Sequence, residues 1–189
     1  ALNGLLQSNT PMDNGRLTDY MADTGYQPMI GILPLWDALY AVSGDRRAFN
    51  SVLANASGGG AYSSHYRDEA TGKPLAFTDR PALTTQDSSL PASSGGNPLT
   101  HDQAHQPSIG YTAYLISGDY YYLEELQFWT TWNYLYANAS SYRGYEKGIY
   151  GVQVRGQAWA LRTLGQAAYI TPDADPLKSE FIASLGHNL

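Results

Sequence analysis

The chain has no cysteine, which excludes disulfides, thiolate metal sites and a cysteine nucleophile while leaving the redox compartment open. It is also short of charge. Asp, Glu, Lys and Arg make up 15% of its 189 residues, against roughly 25% in an average soluble domain. The charge present leans acidic, with a formal net of −6 and a pI near 5.0, so no basic footprint is offered to nucleic acid or anionic lipid. No apolar run reaches the roughly 18 residues that a membrane span needs. Gly-x-Gly-x-x-Gly, Gly-x-x-x-x-Gly-Lys and Gly-x-Ser-x-Gly are all missing, and with them the usual markers of nucleotide and serine-hydrolase sites. The start, Ala1-Leu2-Asn3-Gly4, lacks Met and the charged-then-apolar pattern of a leader, and reads as a fragment or a processed chain.

What takes the place of charge is tyrosine: 16 Tyr, beside 19 Gly and 10 Pro, in a chain that is 43% hydrophobic. So many aromatics with so little charge argue against disorder and against a coiled coil. At 20.6 kDa a single domain burying roughly 70% of its unfolded surface is expected. Residues 1–27 read as an irregular arm, and residues 28–189 as an α-hairpin repeat domain interrupted by a long irregular loop, 59–105. Apolar spacing predicts helices over 28–42, 46–56, 107–116, 120–138, 152–170 and 176–186. Short β pieces are compatible with 61–66 and 75–77. Asn-Ala-Ser sequons at Asn55 and Asn138 would matter only in a eukaryotic secreted protein.

An internal repeat organises the chain. Gln27-Pro28-Met29-Ile30-Gly31 is matched by Gln106-Pro107-Ser108-Ile109-Gly110. Ala38 to Asp45, ending Ser-Gly-Asp, is matched by Thr112 to Asp119 with the same ending. The offsets are 79 and 74 positions, so the first copy carries five extra residues. A third unit, around Thr171-Pro172-Asp173, keeps only helix, turn with Asp, helix. Such repetition implies about three helical hairpins side by side, each burying a face that its neighbour completes: an all-α fold.

The run from Tyr114 through Ser117-Gly118-Asp119 to Leu126 resembles the hairpins of six-hairpin glycosidases and (α/α)-toroid polysaccharide lyases. The segments His65–Glu69, His101–Pro107 and Val154–Trp159 are similar to inner-helix starts or rim loops of that superfamily. The resemblance covers most of residues 28–186. It implies stacked α-hairpins of (α/α)-toroid type, a carbohydrate partner, no cofactor, and a secreted or periplasmic setting. A closed ring of that kind takes twice the six helices read here, so half a toroid is expected, completed by a homo-oligomer or by the remainder of a longer chain.

Three clusters carry candidate chemistry. In His101-Asp102-Gln103-Ala104-His105, His101, Asp102 and His105 combine imidazoles and a carboxylate, which suits proton transfer near neutral pH. The His pair has metal-ligand spacing only as a helix, which Pro107 opposes, so no metal is expected. In the second cluster, Asp68 and Glu69 are candidate proton-transfer groups, Tyr66 a sugar platform, Arg67 a carboxylate fork and His65 a further polar contact. The third lies on helix 152–170, where Arg155, Trp159, Arg162 and Gln166 form a polar stripe that either lines a ligand cleft or anchors loop carbonyls. Gln157 and Tyr111 complete the substrate-binding set. On the same helix Val154, Ala158, Leu161, Gly165 and Ala168 form a small apolar face suited to close packing. The resemblance favours a glycoside-hydrolase-like activity on a polysaccharide or oligosaccharide, which would draw two carboxyls from Asp37, Asp68, Glu69 and Asp102. A lyase would use a His or Tyr base with Arg67, Arg80 or Arg155 neutralising a uronate. A non-catalytic module binding glycan or protein is the remaining alternative. No nucleic-acid or membrane partner is expected.

Overall fold

The two Ser-Gly-Asp junctions fix where helices stop and restart. In the computed structural model, which describes residues 1–18, 25–80, 83–84, 99, 103–137, 148–149 and 153–189, both junctions have the same geometry. Gly44 and Gly118 sit in the left-handed region at φ 62° and 70°, and their N–H groups close on the Tyr40 and Tyr114 carbonyls. The preceding serines bond back to Leu39 and Ala113. Each following aspartate accepts the N–H two residues on, from Arg47 at 2.8 Å and Tyr121 at 3.0 Å. A left-handed Gly closing one helix and an Asp cap opening the next make a reusable corner. The third corner uses Asp175 alone, which accepts Leu177 N–H at 2.9 Å.

Among the described residues these corners join six α-helices, and no strand is present: α1 Leu35–Ser43, α2 Arg46–Ser57, α3 Tyr111–Ser117, α4 Tyr120–Ala137, α5 Val154–Ile170 and α6 Pro176–Asn188. They pair as α1·α2, α3·α4 and α5·α6, with α2 meeting α3 and α5 meeting both α3 and α4. The stretches expected to be β, 61–66 and 75–77, contribute only isolated bridges, Tyr62 to Leu99 and Arg67 to Pro74. One apolar cluster lies between the first two hairpins and includes Trp36, Val52, Ile109 and Trp129. A second joins α4, α5 and α6 through Leu126, Tyr134, Leu164 and Phe181.

Two helices start later than their sequence suggests. Pro28 and Pro107 look like first-turn prolines, yet α1 waits for Leu35 and α3 for Tyr111. Pro34 takes the cap position of α1 and, by disfavouring helical geometry in the residue before it, blocks the extension upstream. Gly110 blocks the other at φ 85°. A Cβ on Gly110 would lie 2.1 Å from the Tyr122 carbonyl oxygen, so only glycine lets this corner touch the backbone of α4.

The face of α5 is also rotated from expectation. Its buried residues are Gly156, Ala160, Thr163, Leu164, Ala167 and Ala168, whereas Val154 is 86% exposed and Ala158 is exposed. The arm is irregular but tied to the first hairpin. Leu17 is in the core, Arg16 N–H bonds to Asn55 Oδ1 at 2.9 Å, and Gln7 reaches the Arg47 carbonyl at 3.2 Å. Asn55 itself is buried and bonded to Ser51, so its sequon offers no surface acceptor. Asn138 lies outside the described residues.

Gly110→Ala should lower stability by at least about 2 kcal/mol through backbone overlap and strain. Gly165→Ala, a helical position with nothing within 4 Å, should raise it by roughly 0.5–1 kcal/mol. Urea unfolding of the two variants checks both signs.

Candidate functional site

The segment leaving α2 through the 3₁₀ turn Gly58–Ala61 packs against α4. There the helix presents its two acids, Glu124 and Glu125, among aromatics. Tyr62 anchors the segment by packing edge-on against Trp129 at 4.8 Å, and Ser63 N–H bonds to the Leu99 carbonyl at 3.0 Å. His65 follows, with Nδ1 at 2.8 Å from the Tyr62 carbonyl oxygen and Nε2 at 2.9 and 3.1 Å from the two oxygens of Glu125. Both ring nitrogens therefore face acceptors, which favours the doubly protonated ring. Burial works against the charge, but the hydrogen bond and attraction of Glu125, aided by Tyr62, outweigh it and hold His65 above its ordinary pKa. Glu125 is buried, and room for it exists because residue 59 is glycine: a Cβ there would lie 3.2 Å from Oε2. Tyr121, one turn earlier, donates to the Ser57 carbonyl at 3.2 Å. Burial and the nearby Glu125 charge push its phenol well above the ordinary range.

Arg67 forks onto Glu124 at 2.8 and 2.6 Å, donates to the Gly72 carbonyl at 2.7 Å, and lies 4.6 Å over the Phe128 ring. Asp68 accepts the Ala70 and Thr71 N–H groups at 2.9 and 3.0 Å, while its other oxygen takes a bond from Arg80 at 2.8 Å. Hydrogen bonds from Thr71 and Ala70, with the Arg80 charge, hold its carboxyl below the usual range. Below this turn lies a cleft of about 120 Å³, lined by Asp68, Thr71, Lys73, Asp79 and Arg80 together with Pro74–Ala76, Pro176 and Leu177. The buried Leu75 and Leu177 give it an apolar floor. Buried Glu180 on α6 fixes the cleft wall by accepting the N–H groups of Phe77 and Thr78 at 2.7 and 2.9 Å.

The structure thus brings His65, Arg67 and Asp68 onto one face of the molecule. Tyr66 is half-buried and Glu69 exposed. His101 and Asp102 lie outside the described residues, and His105 ends a short 3₁₀ turn, Gln103–His105, against α5. Tyr111 opens α3, partly buried against the second core cluster. Gln157 is half-buried on α5, and Arg155 is exposed and bonds to Gln153.

Two members of the Arg155–Gln166 stripe, Arg162 and Gln166, fasten α5 to the segments that lead into α1 and α3. Arg162 donates to the carbonyls of Gly31 at 2.6 Å and Pro107 at 2.8 Å, and lies 5.2 Å from the Trp159 ring centre. Gln166 accepts from Ser108 at 2.8 Å. Burial lowers the Arg162 guanidinium to about 9, which leaves it charged at neutral pH. Asp37 is likewise unavailable to substrate. It is 4% exposed beside a void of about 10 Å³, and burial raises its pKa to about 7 against a weaker opposing bond from Thr112. Among the described residues no group of three His, Cys, Asp or Glu side chains is placed to hold a metal, and no helix is long and apolar enough to cross a membrane.

Sequence reasoning passed over Glu124 and Glu125 as site residues, although they are the only charged residues on α4. Two adjacent acids on an aromatic helix are the signal that could have found them. Comparison with family models, with curated proteins and with solved structures gives no match.

Removing the Glu125 charge should lower the His65 pKa, readable by NMR titration of Glu125→Gln. Because the folded-state pKa of His65 is raised, the pair stabilises fully below about pH 6.5 and the contribution is lost as pH climbs through the folded value. Glu125→Gln should therefore cost about 1–3 kcal/mol at pH 6 and less at pH 9. Asp37 has the same sign: a raised carboxyl makes the folded state the better proton binder, so stability falls as pH rises from about 4 to about 7. Asp37→Asn should flatten that slope and raise the melting temperature at pH 8 but not at pH 4, which thermal unfolding at the two values will show.

Proposed function

We propose that the chain is a carbohydrate-active domain of glycoside-hydrolase type, with stacked α-hairpins of the (α/α)-toroid kind, that takes a saccharide into the cleft beneath residues 68–80. The observation that carries this reading is the lining of that cleft. Asp68 and Asp79 offer acceptors, Lys73 and Arg80 offer donors, and an apolar floor runs between them. A pyranose needs this combination, hydroxyls at its rim and an apolar face in its middle. Asp68, kept ionised by its own turn and by Arg80, suits the charged member of a hydrolytic carboxyl pair rather than the acid that protonates the leaving group. Asp79, in the same cleft, and Asp102 are the candidates for the second carboxyl.

A second reading, a non-catalytic module that binds glycan, is favoured by one specific observation. His65, Arg67 and Asp68 are all held in ion pairs, which positions them and removes them from proton transfer. A polysaccharide panel assayed for new reducing ends and for unsaturated-product absorbance separates the readings. The hydrolase predicts reducing ends without unsaturated product, and a loss of at least about 100-fold in kcat for Asp68→Asn or Asp79→Asn, with circular dichroism unchanged. Unsaturated product would mean a lyase. Binding without turnover would mean the module. Neither binding nor turnover would overturn the carbohydrate reading.

A further inference from the structure

A larger cavity, about 290 Å³, lies away from the cleft, between the N-terminal arm and the first hairpin. Its walls are apolar on both sides. The arm contributes Leu5 and Leu6, and the lead-in and α1 contribute Pro28, Met29, Leu35 and Trp36. Met29 and Trp36 are each 4% exposed, so they form the base. The cavity is a built feature because separate fasteners hold its two sides apart. Tyr62 donates to the Thr18 carbonyl at 2.7 Å, and Gln7 and Arg47 tie the first residues of the arm to α2 and back. Leu35 N–H reaches over the lead-in to the Pro28 carbonyl at 2.7 Å.

One charged group lines this space, Arg16, and no acidic residue is among the described residues that line it. Its backbone is fixed by the bond to Asn55 and by the left-handed Gly15 before it, at φ 62°, while its side chain stays at the exposed edge. In a chain with a net charge of −6, an apolar cavity whose described lining carries one cation and no acid suits an anionic amphiphile better than a cationic one. Apolar walls of this volume suit a small hydrophobic body, and a guanidinium at the rim suits a carboxylate, to which it donates charge-assisted hydrogen bonds.

We propose that this cavity is a binding site for a small amphiphilic carboxylate, with the apolar body against Met29 and Trp36 and the carboxylate on Arg16. The site uses none of the cleft residues and does not depend on the saccharide reading.

Calorimetric titration of the full chain with octanoate, octanol and octylamine tests it, because the three share a body and differ in the head group. Octanoate should bind once per chain and about tenfold more tightly than octanol, the margin of a charged hydrogen bond at an exposed rim, with octylamine weakest. Arg16→Gln should bring octanoate down to the level of octanol and leave octanol unchanged. Gly4→Trp, at a cavity position whose Cβ would meet nothing within 4 Å, should block both while the fold is retained by circular dichroism. Asp68→Asn should leave octanoate binding intact. Failure of octanoate to bind, equal binding of octanoate and octanol, or octanoate affinity unchanged in Arg16→Gln or in Gly4→Trp would overturn the proposal.

Discussion

α4 is buried around almost its whole circumference, and much of the molecule is arranged to satisfy it. A buried polar group left without a partner costs about 1–3 kcal/mol, and α4 carries many. Thr130 and Thr131 solve the problem locally by bonding back to the Leu126 and Gln127 carbonyls. Several others recruit distant parts of the chain. Asn133 exchanges two hydrogen bonds with Gln106, at 3.0 and 3.1 Å, in the lead-in to α3. Gln127 donates to Asp175 at 3.0 Å, the same carboxylate that caps α6. Glu125 takes His65 and Glu124 takes Arg67. The start of the loop after α2 therefore lies where it does because two acids on a central helix require cations, and Gly59 and Gly60, beside Glu125 and Tyr121, are the clearance that lets it approach.

That origin bears on chemistry. A His–Glu pair beside an Arg–Glu pair looks catalytic in outline, but the pairing fills both imidazole nitrogens and most of the guanidinium, leaving little free to move protons. Farther along the same loop the turn at 68–72 closes on itself and Asp68 and Arg80 pair at the edge of the cleft, which Lys73 and Asp79 also line. The scarcity of charge has the same logic. Among the described residues, most charges near the core are engaged in holding one element to another, and Arg162 does so without a carboxylate, solvated by carbonyls from both copies of the repeat. A cation in that position belongs to the framework, and the open cleft carries the functional reading.

The Ser-Gly-Asp corners were legible in the sequence because their geometry depends on neighbours only: a residue able to turn left-handed, then a side chain able to cap. Helix starts were less legible. Pro28 and Pro107 fit a first-turn position locally, and what displaces the helices is Pro34 in one copy and, in the other, contact between Gly110 and a helix met only in three dimensions. The face of α5 failed for a related reason. The helix carries two stripes of small and apolar residues, and periodicity cannot say which one meets α4 and α6. The polar stripe on α5 was open between cleft lining and carbonyl anchoring until the partners of Arg162 and Gln166 were known. For the loop 59–105, composition marked it as irregular, but the seat of its first part, around His65 and Arg67, depends on Glu124 and Glu125, which lie some sixty residues later.

The two repeat copies differ most where the molecule has become asymmetric. The corner of each copy is conserved in geometry, so the five extra residues of the first copy fall on its entry side. There α1 is longer than α3, nine residues against seven, and gains Leu35 and Trp36 at its start. Those two residues wall the cavity beneath the arm. Under the offset of 74, Asp37 also occupies the place that Tyr111 takes in the second copy, so a buried acid in one hairpin stands for a packing aromatic in the other. The Asp37–Thr112 bond then links α1 directly to α3. Repetition accounts for the shared corners, and the insertion accounts for two of the walls of the cavity beneath the arm, Leu35 and Trp36.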